Sequence, residues 1–192
     1  MEDRKKLMNY LLCEAMKQPC IKTDRLILRR FCKADSKDVQ QLAGKREVSE
    51  TTLNIPYPYK DGMATEWIST HSTNWTKRNA VAYAITDKIS GKLIGTVSLT
   101  KIVGNHAELG YWIGLPFWGL GYCTEAASAL VEFAFMNLRI TKIIAEHLSS
   151  NPSSGRVMQK IGMNYIGSKK ILDRNKKMVP LEIYEAIHTT NT

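Results

Sequence analysis

A short glycine-containing segment is the part of the sequence best suited to holding a ligand. It runs from Trp118 to Thr124 and includes Gly119 and Gly121. Glycine has no Cβ, so the backbone here can come close to a bound group. The residues that follow have a helical pattern, and the free N–H groups and positive dipole of a helix N-terminus attract anions. The segment is therefore either a phosphate-binding loop or a tight turn, and this argument leaves both readings open.

Several better-known motifs are missing from the sequence. It contains no G-x-x-x-x-G-K-[ST] pattern, which argues against a P-loop. Gly119 and Gly121 lack the third glycine of a dinucleotide-binding fingerprint, and they follow predicted antiparallel strands. There is no G-x-S-x-G nucleophile elbow and no H-E-x-x-H pattern, and the four cysteines do not have metal-ligand spacing. We therefore expect no metal, and no side chain stands out as an acyl carrier.

The hydrophobic pattern changes between strand and helix periods along the chain. Alternation with period two predicts seven strands, at residues 25–31, 81–85, 93–103, 107–113, 140–147, 163–172 and 180–188. Helical spacing predicts helices at 34–43, 61–77, 124–138 and 151–161, and it is compatible with a short helix at 3–17. Short turns join the strands between 81 and 113, which indicates an antiparallel meander. The 192 residues suit one domain, placed at 21–192 after an N-terminal extension at 1–20.

The composition limits the classes of partner. The formal net charge is +9, which favours anionic ligands or nucleic acid without choosing between them. No arginine-rich stripe or aromatic stacking motif accompanies the charge, so we expect no direct nucleic-acid binding. No apolar run approaches the roughly 20 residues of a membrane span, and no signal peptide is evident. We expect a cytoplasmic protein with free thiols and no membrane partner.

The order of four motifs is more specific than any one of them. They are Thr23-Asp24-Arg25-Leu26-Ile27-Leu28-Arg29, Ala107-Glu108-Leu109-Gly110-Tyr111-Trp112-Ile113, Trp118-Gly119-Leu120-Gly121-Tyr122-Cys123-Thr124-Glu125-Ala126, and Asn151-x-x-Ser154 with Lys160-Ile161-Gly162-Met163. In this arrangement the chain resembles the GNAT superfamily of N-acetyltransferases, and within it the RimJ/RimL-like (ribosomal-protein acetyltransferase) branch. The resemblance covers about residues 22–188.

The resemblance implies a fold and a co-substrate. The fold is a mixed α/β domain with an approximately seven-stranded, mostly antiparallel sheet, whose fourth and fifth strands splay apart, flanked by about four helices. The co-substrate is acetyl-CoA. Its pyrophosphate would lie on the glycine-containing segment, and its pantetheine arm along the end of the fourth strand. The implied cofactor-binding residues are Trp112, Ile113, Leu115, Trp118, Gly119, Leu120, Gly121, Tyr122, Cys123, Thr124 and Asn151.

Two positions depart from the family's pyrophosphate motif, Q/R-x-x-G-x-G/A. Trp118 replaces Gln or Arg, which is similar to the RimJ/RimL-like branch, and Cys123 replaces the final small residue. Because the binding groups are mostly backbone N–H, we expect neither change to abolish cofactor binding.

The resemblance also suggests two catalytic residues. An ammonium ion cannot attack a thioester, so such an enzyme must remove a proton from the amine, and Glu108 is the candidate base. The competing interpretation is a solvated or ion-paired strand carboxylate. Many members of the family carry an acidic tyrosine at the position of Met158, which cannot donate a proton. Ser154 is the candidate replacement, although a helix-start hydroxyl, with water as the acid, is equally compatible.

The expected reaction is direct transfer of an acetyl group from acetyl-CoA to a primary amine. The acceptor is either a protein N-terminus, such as that of a ribosomal protein, or a small amine such as an aminoglycoside or polyamine. The tyrosine missing at Met158 keeps a third alternative open, a non-catalytic acyl-CoA-binding sensor. A homodimer is an open possibility for the oligomeric state.

Overall fold

The computed structural model describes residues 18–188, whose strands form one eight-stranded sheet. The strands are β1 (Ile21–Lys22), β2 (Leu26–Arg29), β3 (Val81–Asp87), β4 (Leu93–Val103), β5 (His106–Ile113), β6 (Lys142–Leu148), β7 (Asn164–Leu172) and β8 (Met178–Ile187). Their order across the sheet is β1-β2-β3-β4-β5-β6-β8-β7. Only β5 and β6 pair in parallel. The predicted mixed, mostly antiparallel sheet is confirmed, with β1 added, a strand of two residues that is too short to show a pattern.

Six α-helices lie within residues 18–188. They are α1 (Ser36–Ala43), α2 (Arg46–Glu50), α3 (Met63–Ser69), α4 (His71–Lys77), α5 (Tyr122–Asn137) and α6 (Pro152–Lys160). The four predicted helices correspond to α1, the α3–α4 pair, α5 and α6, whereas α2 was not predicted. The helix considered at 3–17 lies outside the described residues.

The helix predicted at 61–77 divides at Thr70. The Thr70 hydroxyl donates to the carbonyl oxygen of Trp67 at 2.8 Å, and the Ser69 hydroxyl donates to that of Glu66 at 2.6 Å. Serine and threonine hydroxyls placed in this way compete with the backbone donors of a continuous helix. The apolar pattern runs through both segments, so it does not reveal the division.

Helices cover both faces of the sheet. Successive residues of a strand point to opposite faces. Accordingly, Tyr83 of β3 belongs to a buried cluster with Leu130 of α5, while Ala84 belongs to a second cluster with Val39 of α1 and Ala64 of α3. The two clusters fix the sheet between α5 on one side and α1 and α3 on the other.

The parallel pair β5–β6 is hydrogen-bonded over only part of its length. The pairing begins at His106 and Lys142 and ends at Leu109 and Ala145. Beyond this point β5 stays paired with β4 as far as Ile113, and β6 stays paired with β8. Each strand therefore follows its outer neighbour and a gap opens between them, which confirms the predicted splay of these two strands.

An aromatic cluster formed by Phe31 and residues of α3 and α4 contains a half-buried histidine. The ring of His71 lies 4.4 Å from that of Trp67 and 5.2 Å from that of Phe31, measured between centroids. Its Nδ1 is buried and has no hydrogen-bond partner among residues 18–188. Burial lowers the pKa of His71 to about 4, because the imidazolium form cannot be solvated there.

We expect the free energy of unfolding to fall as the pH is lowered from 6.5 toward about 4. In this window the unfolded chain takes up a proton that folded His71 does not, with a slope of at most about 1.4 kcal/mol per pH unit. Urea denaturation above about pH 5, where most carboxylates stay ionised, measures this slope. His71→Phe should remove that part of the pH dependence.

The matched control is His106→Gln, which removes an exposed histidine and should keep the wild-type slope. An unchanged slope in His71→Phe would assign the pH dependence to another group.

Candidate active site

A cavity of about 750 Å³ opens where β5 and β6 separate. Its walls come from the loop after α2, β5 from Glu108 onward, the glycine-containing segment, the end of β6 and the start of α6, together with Trp67 of α3 and Ser98 and Thr100 of β4. The gap in the sheet therefore connects the N-terminus of α5 to the opposite face of the sheet.

The glycine-containing segment has the geometry of an anion cradle. Gly119 and Gly121 have φ angles of 76° and 79°, a conformation that side chains with a Cβ rarely adopt. Gly121 caps α5, and no side chain caps the helix in its place. The first N–H groups of α5, from Tyr122 to Thr124, have no acceptor within the helix. These residues line the cavity, so the segment suits a pyrophosphate.

Two side chains fix the backbone of this segment. Trp118 donates from Nε1 to the carbonyl oxygen of Ile113 at 2.6 Å, which fastens the segment to the end of β5. Arg25 donates from Nη1 to the carbonyl oxygen of Leu120 at 3.0 Å, and its guanidinium lies 4.6 Å from the ring centre of Tyr122. The side chain of Trp118 therefore helps to hold the segment in place, although the groups expected to bind the cofactor are backbone N–H groups.

Glu125, in the first turn of α5, joins the segment to the residues between β1 and β2. Its carboxylate accepts hydrogen bonds from Thr23 Oγ1 at 2.6 Å, from the backbone N–H of Arg25 at 2.9 Å, and from Arg25 Nε at 2.7 Å. Burial alone would raise the pKa of Glu125, but the bonds from Thr23 and Arg25 outweigh it and lower the pKa. An ionised Glu125 therefore orders the start of α5.

Ten of the thirteen residues proposed from the sequence line the cavity. They are Glu108, Ile113, Trp118, Gly119, Gly121, Tyr122, Cys123, Thr124, Asn151 and Ser154. The other three do not line it. Trp112 packs against the cluster beneath α1 and α3, and Leu115 and Leu120 are exposed to solvent.

Glu108 lies on β5 at the cavity wall and forms an ion pair. Its Oε2 is 2.5 Å from Nζ of Lys101, and its side chain is 29% exposed against 72% for Lys101. Exposed pairs of this kind contribute about 0–1 kcal/mol, so the lysine is readily displaced. The carboxylate is both ion-paired and open to the cavity, as each of the two sequence-based interpretations requires.

Ser154 contacts a tyrosine on the opposite wall of the gap. Its Oγ donates to Tyr111 Oη at 3.0 Å, and Tyr111 Oη donates to the carbonyl oxygen of Ser154, also at 3.0 Å. The helix-capping role belongs to Asn151, whose Oδ1 accepts from the backbone N–H of Ser154 at 3.3 Å. The hydroxyl of Ser154 is therefore not used to cap α6.

Two other residues of the cavity lining, Cys123 and Met158, are poorly suited to nucleophilic attack or proton transfer. Burial raises the pKa of Cys123 to about 12, so this thiol stays protonated at neutral pH and is a poor nucleophile. Met158 is 1% exposed within the main core, where it serves packing rather than proton transfer. Among residues 18–188, no group of three or more His, Cys, Asp or Glu side chains is placed to hold a metal.

The sequence analysis did not identify three features of the cavity. Tyr111 was named only as part of a motif, and neither His147 nor residues 51–55 were assigned a role. His147 lines the cavity at 7% exposure, and its Nε2 has no hydrogen-bond partner in the described part of the chain. Strand alternation places Tyr111 and His147 on the face of the sheet that α5 covers, but only the parallel register places them on facing strands.

Residues 51–55 form a cavity wall that is tied down from two directions. Asn151 donates from Nδ2 to the carbonyl oxygen of Thr51 at 3.1 Å. Arg174, in the turn between β7 and β8, donates from Nη2 to Ser49 Oγ at 2.6 Å and from Nη1 to the carbonyl oxygen of Ile55. Contacts this distant in sequence leave no periodic signal.

Comparison with known proteins identifies the family. The acetyltransferase (GNAT) domain matches residues 25–164. The chain belongs to the GNAT acetyltransferase family. It is 33% identical to the Bacillus subtilis protein YkkB over 172 residues, which is 85% of this chain and 92% of YkkB. It is 32% identical to the uncharacterised N-acetyltransferase YnaD of Bacillus subtilis, over 77% of this chain and 84% of YnaD.

A solved structure shows the same fold. The RimL ribosomal L7/L12 alpha-N-protein acetyltransferase, in complex with coenzyme A, superimposes with a TM-score of 0.80 at 18% identity. The match covers 88% of this chain and 98% of that chain. The family assignment makes this chain an acetyl-CoA-dependent acyltransferase. None of the helices in residues 18–188 has the length and apolar character needed to cross a membrane.

We expect Glu125→Gln to weaken acetyl-CoA binding about tenfold and to lower the free energy of unfolding by about 2 kcal/mol. The substitution keeps the size of the side chain and one acceptor oxygen, but it removes the negative charge and replaces the oxygen that accepts from Arg25 Nε with an NH2 donor. Isothermal titration and urea denaturation measure the two effects.

The matched control is Glu132→Gln, an exposed position on the same helix, which should change neither quantity. Wild-type affinity for acetyl-CoA in Glu125→Gln would show that the contacts of Glu125 with Thr23 and Arg25 do not order the binding segment.

Proposed function

We propose that the protein transfers an acetyl group directly from acetyl-CoA to a primary amine while both are bound. One observation carries the proposal: the gap between β5 and β6 connects the anion cradle at α5 to the carboxylate of Glu108 within one cavity. A thioester held from the cradle and an amine held at the carboxylate would meet in this gap.

The protein offers backbone groups for each end of the acetyl-CoA. Free N–H groups at the start of α5 bind the pyrophosphate. Past Leu109, the edge of β5 that faces β6 has no strand partner. The N–H and C=O groups between Gly110 and Ile113 that point to this edge are available to the amides of the pantetheine arm, except the carbonyl oxygen of Ile113, which accepts from Trp118. The co-substrate supplies an activated acetyl thioester.

The side chains divide the proton chemistry between them. Glu108 takes a proton from the acceptor ammonium, directly or through water, so that the nitrogen can attack. Backbone N–H groups near Ile113 stabilise the developing negative oxygen. Ser154 or water supplies the proton to the departing sulfur. The protonated thiol of Cys123 supports direct transfer, because a neutral thiol at this position cannot act as an acyl carrier.

The acceptor we favour is a protein N-terminus. RimL, which shares the fold, is an alpha-N-protein acetyltransferase of ribosomal L7/L12. An α-amine has a pKa near 8, so a far larger neutral fraction is present at pH 7 than for a lysine or polyamine nitrogen. The acceptor wall also favours a single charge, because Glu108 and Glu146 already have lysine partners, Lys101 and Lys169, each at 2.5 Å.

We expect Gly121→Glu to abolish acetyl-CoA binding. The new side chain would be strained at a φ of 79° and would place a negative charge beside the pyrophosphate. Isothermal titration of wild type and variant measures this, with Gly91→Glu as a control at a positive-φ turn remote from the cavity. Failure of the wild type to bind acetyl-CoA would refute the proposed function.

We expect Glu108→Gln to lower kcat at least about 100-fold at neutral pH with little change in the acetyl-CoA dissociation constant. Removing a positioned general base typically has an effect of this size. The assay follows thiol release with a panel of N-terminal peptides, aminoglycosides and polyamines.

Activity of Glu108→Gln should recover partly as the pH approaches the pKa of the acceptor amine, because the amine is then already neutral. Full turnover at neutral pH would remove Glu108 from the scheme. Tight acetyl-CoA binding by the wild type with no transfer to any amine in the panel would favour the sensor.

A further inference from the structure

The departing sulfur needs stabilisation that the usual side chain cannot provide. Met158 occupies the position where related enzymes carry an acidic tyrosine, and it is buried in the core. The cavity nevertheless contains a tyrosine hydroxyl, that of Tyr111, which reaches the gap from β5 rather than from α6. The two walls of the gap are joined at this hydroxyl through Ser154.

The Tyr111–Ser154 contact is reciprocal, and this fixes both hydroxyls. Tyr111 Oη accepts from Ser154 Oγ and donates to the carbonyl oxygen of the same residue, each at 3.0 Å. The carbonyl oxygen belongs to the third residue of α6, whose start is held by the Asn151 cap. Both hydroxyl oxygens are therefore held in place before any ligand arrives, so that only rotation of the two O–H bonds is required when charge develops.

Resting on the proposed function, we propose that Tyr111 is a positioning residue for Ser154, and that the pair forms a hydrogen-bond donor chain stabilising the departing thiolate. When the carbon–sulfur bond breaks, the electron pair goes to sulfur, and the Ser154 hydroxyl turns from Tyr111 to donate to it. The Tyr111 hydroxyl then turns from the carbonyl oxygen to donate to Ser154 Oγ. No proton leaves either residue, and solvent protonates the sulfur after release.

The chemistry of the two hydroxyls suits donation rather than acid catalysis. A serine hydroxyl is far less acidic than a thiol, and burial raises the pKa of Tyr111 above its ordinary value. Neither group can hand its proton fully to a thiolate, but both remain protonated donors at every working pH. Bonds from neutral donors to an anion are stronger than those between neutral partners.

The direct test titrates the thiol of bound coenzyme A, followed by the ultraviolet absorbance of the thiolate as a difference with and without coenzyme A. In the wild type we expect this thiol to have a pKa about one unit below that of free coenzyme A, because the donor chain favours the anion. Tyr111→Phe and Ser154→Ala should each restore the free value. This readout needs neither an acceptor nor turnover.

Kinetics provide the second readout. We expect each variant to lower kcat about tenfold to a hundredfold, with the acetyl-CoA dissociation constant unchanged. The double variant should be no slower than the slower single variant, since the two hydroxyls act as one unit. Tyr165→Phe is the matched control: it removes an exposed strand tyrosine hydroxyl bonded to Glu182, outside the cavity lining.

The outcomes separate this inference from the proposed function. No binding of coenzyme A by the wild type overturns the proposed function itself. Binding with the same thiol pKa in wild type and Tyr111→Phe overturns only the donor chain, as do additive losses of kcat. If Tyr111→Phe does not fold, Ser154→Ala answers the question, because it keeps the bond from Tyr111 to the carbonyl oxygen.

Discussion

The constraint on which the site depends is the end of the β5–β6 pairing at Leu109 and Ala145. A sheet edge inside a protein normally leaves unpaired backbone groups that must find partners. Here β5 remains hydrogen-bonded to β4, and β6 to β8. The two facing edges therefore keep their strand conformation although no strand lies between them. This gives a rigid slot with exposed N–H and C=O groups, into which an extended ligand can fit as a substitute strand.

A ligand can occupy the slot only if the glycine-containing segment beside it keeps a fixed position, and Glu125 holds that segment in place. Its carboxylate accepts three hydrogen bonds from Thr23 and Arg25, which lie between β1 and β2, while Arg25 also donates to the carbonyl oxygen of Leu120. A negative side chain in the first turn of α5 also complements the helix dipole. The ion pair between Arg25 and Glu125 therefore orients α5, the segment before α5, and the residues between β1 and β2 together.

Local signals in the sequence predicted most of the fold, and long-range contacts account for the differences. The strands, α5 and the glycine pair follow from periodicity and from residues that favour particular backbone angles. The division at Thr70 comes from hydroxyls competing with the backbone, which a hydrophobic pattern cannot show. The Tyr111–Ser154 contact spans 43 positions, and the Arg174 contacts with Ser49 span 125. Such contacts become apparent only when the sheet order is known.

The two faces of the slot are electrostatically different. This difference separates two steps of the proposed acyl transfer, the removal of a proton from the amine and the stabilisation of the departing thiolate. On one face Glu108 and Glu146 are charged, lysine-paired and partly exposed, which suits a base that exchanges protons with solvent. On the face covered by α5, Tyr111 and Ser154 are neutral and bonded to each other, and burial raises the pKa of Tyr111. A base beside Tyr111 and Ser154 would have its charged form destabilised by burial. A hydrogen-bond donor on the face of Glu108 and Glu146 would be weakened by competition from water. In the proposed mechanism, the sheet that divides the faces thus allows one small cavity to accept a proton at the amine and to stabilise an anion at the sulfur.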